Sequence, residues 1–162
     1  MVWELRPKVL KERRLADALR VYVESWSAHF GIPARLEACP MAGPVDPDAE
    51  TVLYRAAREA LVNVARHARA REVSLVLGTR GADLCLDVRD DGVGFDAGVP
   101  VPGGARGAGL LGMRERLALI GGSVAIESGP GRGTALNFRV PRRRQERPTC
   151  RTAPTEPGGE VR

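Results

Sequence analysis

Tyr54-Arg55-Ala56-Ala57-Arg58-Glu59-Ala60-Leu61-Val62-Asn63-Val64-Ala65-Arg66-His67-Ala68 decides how this chain is read. At about 100° per residue, Leu53, Ala57, Ala60, Leu61 and Val64 fall on one side of a helix and Arg55, Arg58, Arg66 and Arg69 on roughly the other. An acid, an amide and an imidazole, Glu59, Asn63 and His67, recur every four residues along the border between the two faces. A polar stripe there lines the edge where a helix meets a sheet, which is where a ligand cleft forms.

Working outward, the helix begins at Pro47 and is expected to run to about Ala68. Asp46 stands as a capping acid, and the proline follows where no N–H is needed. Upstream, Leu15, Leu19, Tyr22, Trp26 and Phe30 repeat at helical spacing, predicting one amphipathic helix from about Lys8 to Phe30, stopped by Gly31-Ile32-Pro33. A short strand over Ala34 to Ala38 follows. Downstream the period changes to two: Glu72 to Leu77 and Leu84 to Arg89 read as strands joined by a Gly78-to-Asp83 turn. Asp96 to Arg106 has no periodicity and reads as a flexible loop. A third helix is expected from about Gly109 to Ile120, then a hairpin of Ser123 to Glu127 and Thr134 to Val140 around Gly129–Gly133. This order implies an α+β fold, a two-layer α/β sandwich in which a mixed β-sheet carries helices on one face.

Two further motifs follow the polar stripe. Asp90-x-Gly92-x-Gly94 closes an apolar strand. A carboxylate there can accept from the exocyclic amine of adenine, and glycines permit backbone to approach a flat base. Gly107-x-Gly109-Leu110-x-Gly112 resembles the dinucleotide fingerprint but lacks the preceding strand and the βαβ unit that fingerprint needs. What remains is a glycine-rich helix start, whose free N–H groups and dipole favour phosphate, with Arg106 or Arg114 adding charge. Asn63 offers an oxygen ligand suited to magnesium, Glu59 can orient a metal-bound water or act as general base, and His67 can donate to a phosphate oxygen.

Composition bounds the rest. A chain of 162 residues that is 43% hydrophobic holds one core. The net charge of +5 sits at the ends: residues 31 to 141 hold thirteen basic and thirteen acidic groups, while 142 to 162 hold six and three. A neutral core argues against direct nucleic-acid binding. Cys39, Cys85 and Cys150 are odd in number and widely spaced, without the pattern of a disulfide framework or a zinc site, which fits a reducing, cytoplasmic setting. There is no run long enough to span a membrane and no signal-peptide core, so no membrane contact is expected from this segment, although a longer parent chain is free to carry an anchor.

The three motifs, in this order and at separations of about 30 and 15 residues, resemble the ATP-binding catalytic domain of sensor histidine kinases, in the ATPase superfamily that includes DNA gyrase and MutL. With His67 and a short loop before Gly107, the chain resembles the NarX-like subfamily. The resemblance covers about residues 5 to 141. It implies ATP and Mg2+ as cofactors, Asn63 as the magnesium ligand, and Glu59, Asn63 and His67 as catalytic residues. It also implies ATP binding by Asn63, His67, Asp90, Gly92, Gly94, Gly107, Gly109, Leu110 and Gly112, with residues 96 to 106 as a lid. The implied partners are the dimerisation and phosphoacceptor domain of a histidine kinase and a response regulator with a helix-turn-helix output. Residues 1 to 30 then resemble the second helix of the dimerisation hairpin, 31 to 141 the ATPase domain, and 142 to 162 a disordered basic tail. The acceptor histidine is missing: His29 and His67 are the only histidines, and neither has acceptor context. The expectation is a histidine protein kinase truncated before its acceptor, acting within a longer chain or in trans, with the Leu15, Leu19, Tyr22, Trp26 stripe left without its partner helix. The alternative is a non-catalytic ATP-binding regulatory module.

Overall fold

The computed structural model of the chain describes residues 6–41, 43–96 and 105–142, apart from the side chains of 105–108. Apolar residues at every second position build the sheet. In β2 (Val73–Arg80), β3 (Asp83–Asp90) and β5 (Thr134–Pro141), the residues Val73, Leu75, Leu77, Leu84, Leu86, Val88, Leu136, Phe138 and Val140 all point to one face and are buried. The five strands run in the order β1-β2-β3-β5-β4, with β1 at Ala34–Ala38 and β4 at Ser123–Ser128. β1 pairs with β2 in parallel and every other pair is antiparallel, so the sheet is mixed. The helices α2 (Leu15–Phe30), α3 (Pro47–Asn63) and α4 (Ala105–Leu119) share one core cluster with that inner face. The expected two-layer α+β sandwich is the fold.

α3 starts as its sequence requires. Asp46 Oδ1 accepts from the Asp48 N–H at 2.8 Å, and Pro47 occupies the first turn. α2 ends as expected too, with Gly31 at φ 68° and its N–H on the Ser27 carbonyl at 2.9 Å.

Four expectations need correction, each for a tertiary reason. The first helix is two: α1 (Lys8–Glu12) and α2, separated by extended Arg13 and Arg14. Leu10 and Leu15 lie about 140° apart on a continuous helix, and the break lets both enter the core, at 2% and 1% exposure. Arg6 donates to the Leu10 carbonyl, from Nε at 3.1 Å and Nη2 at 2.8 Å, covering the end of α1. Second, the stripe Leu15, Leu19 and Trp26 is not left bare: it is buried in the common core, and Tyr22 packs beside it. Third, β2 continues through Gly78, and the hairpin turns at Gly81-Ala82, closed by the Arg80↔Asp83 pair. Gly81 at φ 61° fits such a two-residue turn. Fourth, α3 gives way at Asn63 to a wider π-helical turn, Val64–Ala68, which ends on Arg69 in the left-handed region at φ 52°.

Candidate functional site

The π turn, the end of β3 and the start of β5 enclose a cleft of about 490 Å³ open to solvent, lined by Ala60, Asn63, Val64, His67, Ala68, Val88, Asp90, Gly94, Phe95, Leu110, Thr134 and Leu136. Most of its wall is apolar with a few polar groups, the make-up of a small-molecule site. Apolar side chains from the helix layer and from the sheet face one another across it, the arrangement that holds a flat ring. Asn63 and His67, both half-buried, stand on one side. Asp90 stands at the other.

Asp90 is fixed by its own loop. Its Oδ1 accepts from the Gly92 N–H at 2.8 Å. Burial raises its carboxyl above the ordinary aspartate range, opposed by backbone N–H groups of Gly92 and Thr134, while the neighbouring Asp91 adds to the rise. Asp91 goes the other way. Its Oδ1 accepts from the N–H groups of Glu72 at 3.0 Å and Arg71 at 2.7 Å, and these bonds lower its pKa. Two adjacent acids thus do different work: Asp91 ties the Arg69–Glu72 corner to the end of β3, and Asp90 faces the cleft.

The glycines of this loop have a structural reason of their own. A Cβ on Gly92 would strike the Ala68 carbonyl, which already accepts the Val93 N–H at 2.7 Å. A Cβ on Gly94, at φ 61°, would strike the Gly129 carbonyl, and one on Gly133, at φ 70°, the Asp90 carbonyl. The Gly129–Gly133 turn is sewn to the same loop: Gly131 donates to the Val93 carbonyl at 2.7 Å, Phe95 to Ser128 Oγ at 2.9 Å, and Ser128 Oγ to the Gly133 carbonyl at 2.9 Å. Three segments far apart in sequence therefore close into one rigid corner around Asp90.

Of the residues singled out from sequence, Asn63, His67, Asp90, Gly94 and Leu110 meet in the cleft wall. Glu59 lies one turn up α3, half-buried, with its carboxylate against Gly109; a Cβ there would meet Glu59 Oε1. Gly92, Gly109 and Gly112 lie outside the wall. α4 begins at Ala105, before the expected Gly109, so Gly109, Leu110 and Gly112 sit past the first turn and do not offer free N–H groups to a phosphate. Glycines discourage a helix assignment in sequence, but here the absent side chain of Gly109 lets α4 approach Glu59. Gly107 is in α4, and its surroundings, like residues 97–104 of the expected lid 96–106, lie outside the described residues. Val88, Phe95, Thr134 and Leu136 line the cleft and were not foreseen. Alternation along β3 puts Val88 in phase with Asp90, but the pairing of Asp90 with Thr134 is a matter of strand register. Among the described residues no group of three or more His, Cys, Asp or Glu side chains could hold a metal, and no helix is long and apolar enough to cross a membrane.

The fold and this corner define a class. The family model for histidine kinase-, DNA gyrase B- and HSP90-like ATPases matches residues 48–144, and the chain belongs to this family. Its catalytic ATP-binding domain is of the kind found in sensor histidine kinases. Among curated relatives it is 36% identical over 138 residues to the oxygen sensor histidine kinase NreB of Staphylococcus carnosus (strain TM300), covering 85% of this chain and 39% of that protein. It is 34% identical over 139 residues to the sensor histidine kinase MctS of Rhizobium johnstonii, covering 86% of this chain and 30% of that protein. The chain thus spans between about three tenths and two fifths of those relatives' lengths. In fold it resembles the histidine kinase domain of the blue-light activated histidine kinase of Erythrobacter litoralis EL346, with a TM-score of 0.65 at 21% identity, covering 79% of this chain and 61% of that one.

Proposed function

We propose that the cleft binds ATP and that this chain is the catalytic part of a sensor histidine kinase, passing the γ-phosphate to a histidine outside residues 1–162 for relay to a response regulator. The observation that carries this reading is the single cleft that gathers Asp90, locked by Gly92, opposite Asn63 and His67. Asp90 accepts the exocyclic amine of adenine, and the apolar walls, Val88 and Leu136 below and Ala60 and Val64 above, sandwich the ring. Asn63 and His67 then lie toward the phosphates. Phosphoryl transfer is catalysed mainly by positioning and electrostatics. In the transfer, an imidazole nitrogen forms a bond to the γ-phosphorus, the bond to the ADP oxygen breaks, and the imidazole proton leaves. Glu59 is the carboxylate assigned to orient that histidine or take its proton.

The donor set fits magnesium. This ion takes few protein oxygens and keeps water and phosphate ligands, so the Asn63 amide oxygen, with Glu59 through water, is sufficient. When bound, magnesium neutralises phosphate charge. Glu59→Gln is expected to leave ATP affinity within about twofold and to lower phosphotransfer at least about a hundredfold, measured by calorimetry and by labelled-phosphate transfer to a histidine-bearing hairpin. Equal transfer by the variant and the parent overturns the role of Glu59. ATP binding with no transfer by either identifies a regulatory ATP-binding module instead. Within this reading residues 1–30 are the helical lead-in from the dimerisation hairpin, 31–141 the ATPase domain, and the response regulator is of the helix-turn-helix class that serves NarX-like kinases.

A further inference from the structure

The lead-in helices are held to α3 by more than apolar packing. At the start of α3, Arg6 Nη2 meets Glu50 Oε2 at 2.6 Å while Arg6 also holds the Leu10 carbonyl. Two turns on, the guanidinium of Arg58 lies 5.3 Å from the ring centre of Tyr22 on α2 and 6.0 Å from that of Tyr54 on α3. The two rings meet edge to face, 6.1 Å apart at 65°. Tyr54 is buried, at 6% exposure, and anchored to the core, whereas Arg58 is exposed and Tyr22 half-buried.

This stack differs from the core beneath it in what it demands. Leucine and valine packing tolerates small rotations, but a cation held over a ring face needs a distance of about 6 Å or less. A slide of α2 by one turn, about 5.4 Å, or a rotation by one residue, about 100°, takes Tyr22 away from Arg58. Arg58 also directly precedes Glu59, whose side chain leaves α3 on a neighbouring face toward Gly109 of α4. Thus, of two consecutive residues of α3, Arg58 touches the lead-in helix and Glu59 bears the carboxylate assigned to phosphotransfer.

We propose that Arg58 is a positioning residue: stacked with Tyr22 and Tyr54, it fixes the rotational register of α2 against α3 and so couples the helix entering this domain to the orientation of Glu59. The catalytic consequence rests on the function proposed above; the mechanical one does not. The test uses the whole 162-residue chain with Arg58→Met, which keeps length without charge, Arg58→Lys, which keeps a cation, Tyr22→Leu, and the Tyr22→Leu/Arg58→Met pair. Amide hydrogen exchange over residues 19–29 is expected to speed up about fivefold in Arg58→Met and in Tyr22→Leu, and to stay within about twofold of the parent in Arg58→Lys. The double variant is expected to match either single one, because both remove the same contact. Fully additive effects, or equal effects of methionine and lysine at 58, overturn the stack as a register device.

The second readout is transfer to a histidine-bearing hairpin at saturating ATP. A fall of about fivefold in Arg58→Met, with unchanged KM for ATP and recovery in Arg58→Lys, is the result expected of a positioning residue. Unchanged transfer in Arg58→Met overturns the coupling to Glu59. A parent chain that fails to bind ATP overturns the function proposed above, and the exchange experiment still decides the mechanical part.

Discussion

Asp90 shows how much chemistry depends on where one side chain lies. Because burial raises its pKa, ATP affinity is expected to fall with acid at a higher pH than an ordinary aspartate would cause, since the protonated group is a poorer acceptor. Calorimetric titrations across pH 4–7 check this, and Asp90→Asn removes that component of the profile. Asp90→Ala is expected to lose about tenfold to a hundredfold in affinity, the worth of a hydrogen bond to a charged group. The stability linkage has the opposite sense from a salt-bridged acid. A folded-state pKa above the unfolded one gives stability that is present below the unfolded pKa and lost as pH rises through the folded one. Asp90→Asn is therefore expected to melt higher than the parent at pH 7, with the gap closing as pH falls. At Gly133 the constraint is steric: Gly133→Ala combines a left-handed φ with collision against the Asp90 carbonyl. It is expected to cost about 3 kcal/mol, read as the midpoint of a denaturant titration.

At the scale of elements, the π turn after α3 is the feature that sets the site. π turns recur at functional sites because they re-aim side chains that a regular helix would carry elsewhere. Here the turn delivers Val64 and Ala68 to the cleft wall, and the Ala68 carbonyl to the Val93 N–H. Inserting one alanine after Ala65 is expected to rotate His67 and Ala68 by about 100°, off the cleft wall. ATP affinity should then drop at least about tenfold, the loss of one good contact, while helical circular dichroism persists. Retained affinity in that variant would detach the π turn from nucleotide binding.

For the molecule as a whole, one core serves both the lead-in helices and the ATPase sheet. Leu10, Leu15, Leu19 and Trp26 share a cluster with Leu53, Leu75 and Phe138, so the packing has no seam at residue 30. Phe138 is fully buried at the middle of β5, between β3 and β4. Phe138→Ala is expected to cost about 3–5 kcal/mol. Because the core is shared, thermal unfolding should remain one transition, followed equally by tryptophan fluorescence and by far-ultraviolet dichroism. Two separated transitions would show that the lead-in helices unfold on their own.

Several features were legible from residues alone because their causes are short-range. Asp46-Pro47 starts a helix, Gly31 ends one, and alternation in β2 and β5 marks the inner face, whichever strand lies alongside. The stripe Glu59, Asn63, His67 and the acid of Asp90-x-Gly92-x-Gly94 were legible as a candidate ligand site because their chemistry is ill-suited to packing, and their order matched a family. Tertiary structure alone decided the break at Arg13-Arg14, the wide turn at Val64–Ala68, the extra turn of α4 through Gly107 and the pairing of Thr134 with Asp90. It alone also showed that Gly92, Gly94 and Gly133 are glycines because other backbone lies against them. In each case the deciding contact joins residues distant along the chain, so its free energy overrides a local preference that is all a sequence window records.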